Sequence, residues 1–222
     1  MHALTIAIDG PSGAGKGTVA RAIAARLGYR HVDSGAMYRA VGWKAARDAV
    51  PFDDEGTIAE IAQRAQLTVT ADAVTIDGID VTKAIRTPEI DRAATAVARL
   101  PLVRAALVAR QRALGRDGGI VMEGRDIGTV VFPDADVKIY LDASPAERAR
   151  RRAHDPAHSG GPVAVAEVES ALTARDRLDR TRAVSPLHVA EDAVVLDTTG
   201  RSIDEVVTDV LAIVDAYRLR SL

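Results

Sequence analysis

A chain of 222 residues, 47% hydrophobic and 27% charged, has material for one sizeable core with room for a small inserted piece, and is too apolar to be disordered. Its 29 basic and 31 acidic residues leave a net charge of −2, which gives no general reason to expect nucleic acid or an anionic membrane as partner. Cysteine is absent, so disulfides, thiolate metal sites and cysteine nucleophiles are excluded.

Leu4 to Ile8 reads as a buried strand, and Lys16 to Leu27 as a helix, with Val19, Ile23 and Leu27 at spacings of four before Gly28 stops it. Between them lies Gly10-Pro11-Ser12-Gly13-Ala14-Gly15-Lys16-Gly17-Thr18. A glycine loop between strand and helix makes a phosphate cradle: backbone N–H groups turn inward around an anion, and the helix N-terminus adds partial positive charge. Lys16 supplies a mobile cation. The spacing from Gly10 to Gly15-Lys16 fits the Walker A pattern, except that Gly17 follows the lysine and the hydroxyl comes one place late, at Thr18. An ordinary glycine turn is the bland alternative, and it rarely carries both flanks.

Tyr29 to Val32 is a second short strand, ending in Asp33-Ser34-Gly35-Ala36-Met37-Tyr38-Arg39. Ligands collect at that edge of an open α/β sheet, so Ser34 and Arg39 are contacts for a second substrate; a helix cap at Asp33 or Ser34 would satisfy the pattern equally. From about Trp43 to Arg86 the pattern changes. Thr57-Ile58-Ala59-Glu60 reads as a capping box, and Leu67 to Val81 alternates around an Asp77-Gly78 hairpin turn. Residues 43–86 are therefore expected to form an inserted α+β piece outside the main sheet, with Trp43 packing inside it. Thr87-Pro88 restarts a helix, and Pro101 either kinks it or begins another that reaches Gly115.

Ile120-Val121-Met122 leads into Glu123-Gly124-Arg125-Asp126-Ile127-Gly128, and Val137 to Leu141 leads into Asp142; both runs read as core strands. Arg125-Asp126 is either a binding pair or a salt bridge at a turn, and the glycines around it favour binding. Lys138 sits mid-strand and is expected to snorkel at a sheet edge. Arg104, taken by itself on its helix, reads as surface. Ser144-Pro145-Ala146-Glu147 opens a helix carrying Arg148, Arg150, Arg151 and Arg152, and His154 to Pro162 is expected to be mobile. Arg175, Asp179 and Arg182 then fall at i, i+4 and i+7 on one helical face. That face is either solvated or a hinged flap over a triphosphate. Asp192 to Asp197 is the last strand, and Ser202-Ile203-Asp204-Glu205 caps the terminal helix. Strands alternating with helices imply an α/β fold with a mostly parallel sheet covered on both faces.

Six segments, GPSGAGKGT, DSGAMYR, RTPEI, LVRAALVARQR, GRDIGTVVFPDADVKIYLDAS and RDRLDRTRAVSPL, together resemble the bacterial cytidylate kinases of the nucleoside monophosphate kinase family, over nearly the whole chain and in the family's order. The resemblance implies a P-loop three-layer fold with a five-stranded sheet, a core of residues 1–42 and 87–222, an NMP-binding insert of residues 43–86, and a lid over about 150–182. It implies transfer of the γ-phosphoryl group of ATP to CMP or dCMP with Mg²⁺. Residues 10–18 would bind ATP. Ser34, Arg104 and Asp126 would address cytosine, Arg39 and Arg125 the acceptor phosphate, and Asp179 the pentose. Arg182 would bridge Asp179 and the phosphate, with Arg175 and Thr95 beside the sugar. Lys16, Arg39, Arg125 and Arg182 would act on the migrating group. The family usually has serine where Thr95 stands, so the hydroxyl is kept and a methyl added.

Rival readings are a P-loop kinase directed at UMP or another acceptor, and a non-catalytic nucleotide-binding module. A guanine-nucleotide switch is disfavoured because the chain contains no asparagine and hence no Asn-Lys-x-Asp motif. With the first strand beginning by Leu4 and no apolar run near the ~20 residues of a membrane span, a cytoplasmic protein is expected. It is expected to work as a monomer on small molecules, without nucleic acid or membrane.

Overall fold

The computed structural model describes residues 3–155 and 165–220. β1 (Thr5–Asp9) enters the glycine loop and α1 (Lys16–Leu27), which Gly28 ends in the left-handed region at φ 68°. β2 (Arg30–Asp33) hands over directly to α2 (Ser34–Arg47), whose cap is the Asp33 carboxylate accepting from the Ala36 amide at 3.0 Å. α3 (Glu55–Arg64) precedes three short antiparallel strands: β3 (Leu67–Val69), β4 (Val74–Ile76) and β5 (Ile79–Asp80). Asp77 and Gly78 join the last two with φ 50° and 76°, the paired positive values that a tight hairpin demands.

Two proline-started helices follow, α4 (Pro88–Val97), capped by Thr87, and α5 (Pro101–Leu114). Then come β6 (Ile120–Gly124), a π-helical turn over Ile127–Val131, β7 (Val137–Asp142), α6 (Pro145–Ala153), α7 (Val165–Thr181), β8 (Val194–Asp197) and α8 (Ile203–Arg220). Ser144 caps α6, and Ser202 with Glu205 forms a reciprocal box at the start of α8.

The main sheet has the order β2-β6-β1-β7-β8 and every pairing in it is parallel. β1 lies at its centre, which explains its unbroken apolar reading: Ile6 and Ile8 are fully buried on one face and Ala7 on the other. On one side, Val19 and Ile23 of α1 and Val206, Val207, Val210 and Val214 of α8 pack on Ile6, Ile8, Ile139 and Leu141. On the other, Val108 of α5 joins Val32, Ile120, Met122 and Val131. Burying each isoleucine contributes about 1.5–3 kcal/mol, so this three-layer core holds the sheet rigid beneath the site. Registers Asp9 with Gly124, Asp33 with Glu123 and Asp9 with Tyr140 align the carboxyl ends of the strands along one rim.

Several local expectations are corrected. α3 begins one turn earlier than expected, capped by Asp54 rather than Thr57; the Asp54 carboxylate accepts from the Thr57 amide. A boundary between residues 42 and 43 falls inside α2, which is continuous and packs Ala36 and Ala40 against Val74, Ile76 and Val81 beside the small sheet. Lys138 lies on an inner strand, not an edge, buried with its Nζ donating to Asp192 at 2.8 Å. α7 stops at Thr181, so Arg182 stands just past the helix. Of the segment from His154 to Pro162, residues 156–162 lie outside the described residues.

Candidate active site

Residues 10–15 leave the end of β1 and wrap back to the N-terminus of α1. At Gly10, φ is 144° and a Cβ would sit 1.9 Å from the Leu141 carbonyl, so only glycine lets the loop pass β7 this closely. Arg148 of α6 supports the loop from behind: Nη1 donates to the Ser12 carbonyl at 3.1 Å and Nε to Ala143 at 3.0 Å. Nη1 of Arg148 also donates to Asp176 at 2.5 Å, a pair that is buried on both sides. Lys16 Nζ donates to the Pro11 carbonyl at 2.8 Å. Gly17, in the place of the usual hydroxyl, sits against Glu123: a Cβ there would lie 2.9 Å from Glu123 Oε1.

A cleft of about 380 Å³ opens above this loop. Ser12, Gly13, Gly15, Lys16 and Gly17 line it, whereas Gly10, Pro11 and Ala14 shape the loop from outside and Thr18 points to solvent. Ser34, Arg39, Thr95, Arg104, Arg125, Asp126, Arg175, Asp179 and Arg182 all line the same cleft, although they come from six different segments. The Ser34 hydroxyl donates to the Glu123 carbonyl at 2.7 Å. Arg104 is only 2% exposed, against its surface reading; its Nη2 pairs with Asp126, and its guanidinium lies 5.5 Å above the Tyr38 ring. Arg182 Nη2 stands 3.3 Å from the other Asp126 oxygen.

Arg125 links both halves of the cleft. Its Nε donates to Asp179 at 3.0 Å, and its Nη1 to the Gly10 carbonyl at 3.0 Å. Arg39 Nε donates to Asp91 at 3.1 Å, and the Thr95 hydroxyl donates to the Asp91 carbonyl at 2.9 Å. Asp9 positions the Arg125-Asp126 corner by accepting from the amides of Ile127 at 2.9 Å and Gly128 at 2.7 Å.

The lining carries nine basic side chains against five acidic ones, an electropositive surface made for polyanions. Burial, assisted by Arg125, lowers the Lys16 ammonium to about 7. Burial raises Asp9 to about 6, partly offset by its two amide hydrogen bonds. Burial and the nearby Arg125 bring Arg175 down to about 10. For Asp179, burial works upward but Arg125 and Arg175 outweigh it and keep the carboxyl below its ordinary value.

A model of the family described as cytidylate kinase matches residues 6–216. The chain belongs to the cytidylate kinase family. It is 50% identical over 213 residues to a cytidylate kinase of Desulfitobacterium hafniense, covering 95% of this chain and 92% of that one. A bifunctional pantoate ligase/cytidylate kinase of Synechococcus sp. is 50% identical over 90% of this chain, and the match takes up 38% of that longer protein. Among solved structures, shikimate kinase from Acinetobacter baumannii aligns over 98% of this chain and 96% of its own, with TM-score 0.50 and 16% identity, a likeness of fold alone.

In this member of the cytidylate kinase family, sequence reasoning passed over Asp9, Glu123, Asp91, Arg86 and Tyr38. Asp9 and Glu123 did carry a signal, since each is a carboxylate closing an apolar strand where the sheet edge gathers ligands. Arg104 carried one too: Arg104, Leu107, Val108 and Gln111 fall at i, i+3, i+4 and i+7 and are all buried. Asp91 gave none beyond a helix first turn.

Proposed function

We propose that this chain transfers the γ-phosphoryl group of ATP to CMP or dCMP, giving ADP and CDP or dCDP. What supports the reading is the convergence of Arg39, Arg125 and Arg182 with Lys16 on one cleft. The acceptor phosphate already owns its nucleophilic oxygen, so the work is alignment and charge neutralisation rather than proton abstraction. Residues 10–18 cradle the ATP phosphates through their backbone amides, Pro11 excepted, and through Lys16. Arg39 and Arg125 take the acceptor phosphate, and Arg182 lies between Asp126 and Asp179, where it reaches the phosphate from the sugar side.

Asp126 accepts from the cytosine N4 amino group, while Arg104 donates to the ring acceptors with Ser34 at the rim. Uracil presents an acceptor at position 4, opposite a carboxylate, and is disfavoured there. Asp179, Arg175 and Thr95 address the pentose. The small sheet with α3 serves the acceptor side; of the lid over about 150–182, Arg151 and Arg152 line the cleft, and residues 156–164 lie outside the described residues.

Magnesium on a nucleotide keeps several waters and takes one or two protein oxygens. Glu123 fits that need, because its carboxylate faces Gly17 and lines the cleft beside Lys16. Among the described residues no group of three or more His, Asp or Glu side chains is placed to hold a metal. When bound, it supplies neutralisation of phosphate charge. Among the described residues no helix is long and apolar enough to cross a membrane. We assign the chain to the cytoplasm as a monomer.

ADP formation measured with each nucleoside monophosphate in turn tests the assignment. Turnover with CMP and dCMP is expected, and much less with UMP; ATP binding without CMP-dependent ADP release would leave only a nucleotide-binding module.

A further inference from the structure

Asp91 stands in the first turn of α4, where the helix dipole alone would justify a carboxylate. Its surroundings go well beyond that. Oδ1 accepts from Arg39 Nε at 3.1 Å and lies 3.5 Å from Arg175 Nη1, while Oδ2 accepts from Arg152 Nη2. Three helices, α2, α6 and α7, thus each send one arginine to a single carboxylate, and all three arginines line the cleft. Burial works to raise the Asp91 carboxyl, but Arg39, Arg175 and Arg152 overcome it and hold it well below the usual carboxylate range.

A carboxylate so placed either competes with the acceptor phosphate or holds the arginines ready for it. A competitor at Arg39 would occupy the paired terminal nitrogens with which arginine grips phosphate at two points, the way Asp91 meets Arg152 by Nη2 and Arg175 by Nη1. Asp91 instead takes Arg39 by its Nε, and Nη1 of Arg39 is 3.7 Å from Asp33, beyond a good hydrogen bond. We infer that Asp91 is a positioning residue: it fixes Arg39 side-on, so that the terminal nitrogens face the acceptor phosphate, and lets Arg152 and Arg175 pack beside it without mutual repulsion. The inference rests on the kinase reading above and concerns the same cleft.

The sign of its effect follows from electrostatics. Removing this negative charge strengthens the raw attraction of three guanidiniums for an anion, so ground-state affinity does not suffer. Orientation does, and a displacement of about 1 Å in a reacting group can cost on the order of a hundredfold in rate. Asp91→Asn is therefore expected to lower kcat by about tenfold or more, with KM for CMP unchanged or lower and KM for ATP within about twofold.

The decisive experiment is a cycle of Asp91→Asn, Arg39→Ala and the double variant, each checked by thermal melting, with CMP and ATP varied separately. Acting through Arg39, Asp91→Asn adds little to the loss caused by Arg39→Ala. Should Asp91→Asn fail to fold, Asp91→Glu, which keeps the charge and moves it by one methylene, carries the same readout with a smaller drop in kcat. An unchanged kcat, a loss expressed as a higher KM for CMP, or additive losses in the cycle overturns the proposal. Wild-type protein that releases no ADP with CMP contradicts the reaction itself, whereas an active wild type with an unaffected variant contradicts only the role of Asp91.

Discussion

Lys16 Nζ donates to the Pro11 carbonyl at 2.8 Å, so the cation of the phosphate loop is folded back on its own backbone. Burial and Arg125 hold its ammonium at about 7, which makes it mostly neutral at pH 8. A triphosphate restores the charge by offering an anionic partner. Binding of ATP at pH 8 is therefore expected to take up close to one proton, since Asp9, at about 6, is already ionised there. Calorimetric titrations in two buffers of different ionisation enthalpy measure this directly; equal binding enthalpies in both contradict it.

The same depression works against the fold. Between about 7 and 10.5 the unfolded chain binds a proton at Lys16 that the folded chain does not, so stability rises with pH across that window. Lys16→Met removes the penalty, which is fully present below pH 7. The unliganded variant is expected to melt above wild type at pH 7, with the gap closing toward pH 10.5, while turnover falls at least about a hundredfold. A variant that melts lower at pH 7, or turns over normally, counts against the assignment.

Asp126 is gripped by Arg104 and Arg182, and truncating it to alanine would take from buried Arg104 its carboxylate partner and leave Arg182 with Asp179 alone. Asparagine is the better probe, because it keeps the shape and adds a donor that suits uracil. Asp126→Asn is expected to shift the ratio of kcat/KM for CMP over UMP by about 10–100-fold toward UMP, the scale of one base-edge contact, with ATP affinity nearly unchanged. An unaltered ratio removes Asp126 from base recognition.

Arg148 and Asp176 form a buried pair, and Arg148 also serves the Ser12 carbonyl. Arg148→Met strands the Asp176 carboxylate, a change worth about 3–5 kcal/mol, which in a chain of this size lowers Tm by roughly 6–20 °C. Adding Asp176→Leu is expected to recover most of the Tm but not the ATP affinity, since the loop still lacks its support. Scanning calorimetry and nucleotide titration on the pair of variants separate the two effects.

Local chemistry was legible wherever it acts locally. The cap at Thr87, the box at Ser202, the stop at Gly28 and the turn at Asp77-Gly78 depend on neighbours within a few residues, and each element follows as read. The start of α3 is not legible in the same way, because Asp54 and Thr57 both offer a capping oxygen and only the backbone decides between them. Strand order is not a local property, so nothing near Lys138 in the sequence shows that β8 covers its strand and makes it an inner one. Partners of Asp91 lie 52 and 61 residues away in the chain, which hides its setting from any window of sequence. The cleft residues themselves were named through family motifs; their convergence is a matter of topology.

β1 pairs on one side with residues 120–124 and on the other with residues 137–140. The loop it feeds is thus walled by strands that lie more than a hundred residues further along the chain. The glycine motif therefore has no local partner, and its walls form only when pairings of long sequence separation close. Such long sequence separations slow the closure of parallel sheets, and until they close the apolar β1 is an unpaired strand exposed to wrong partners.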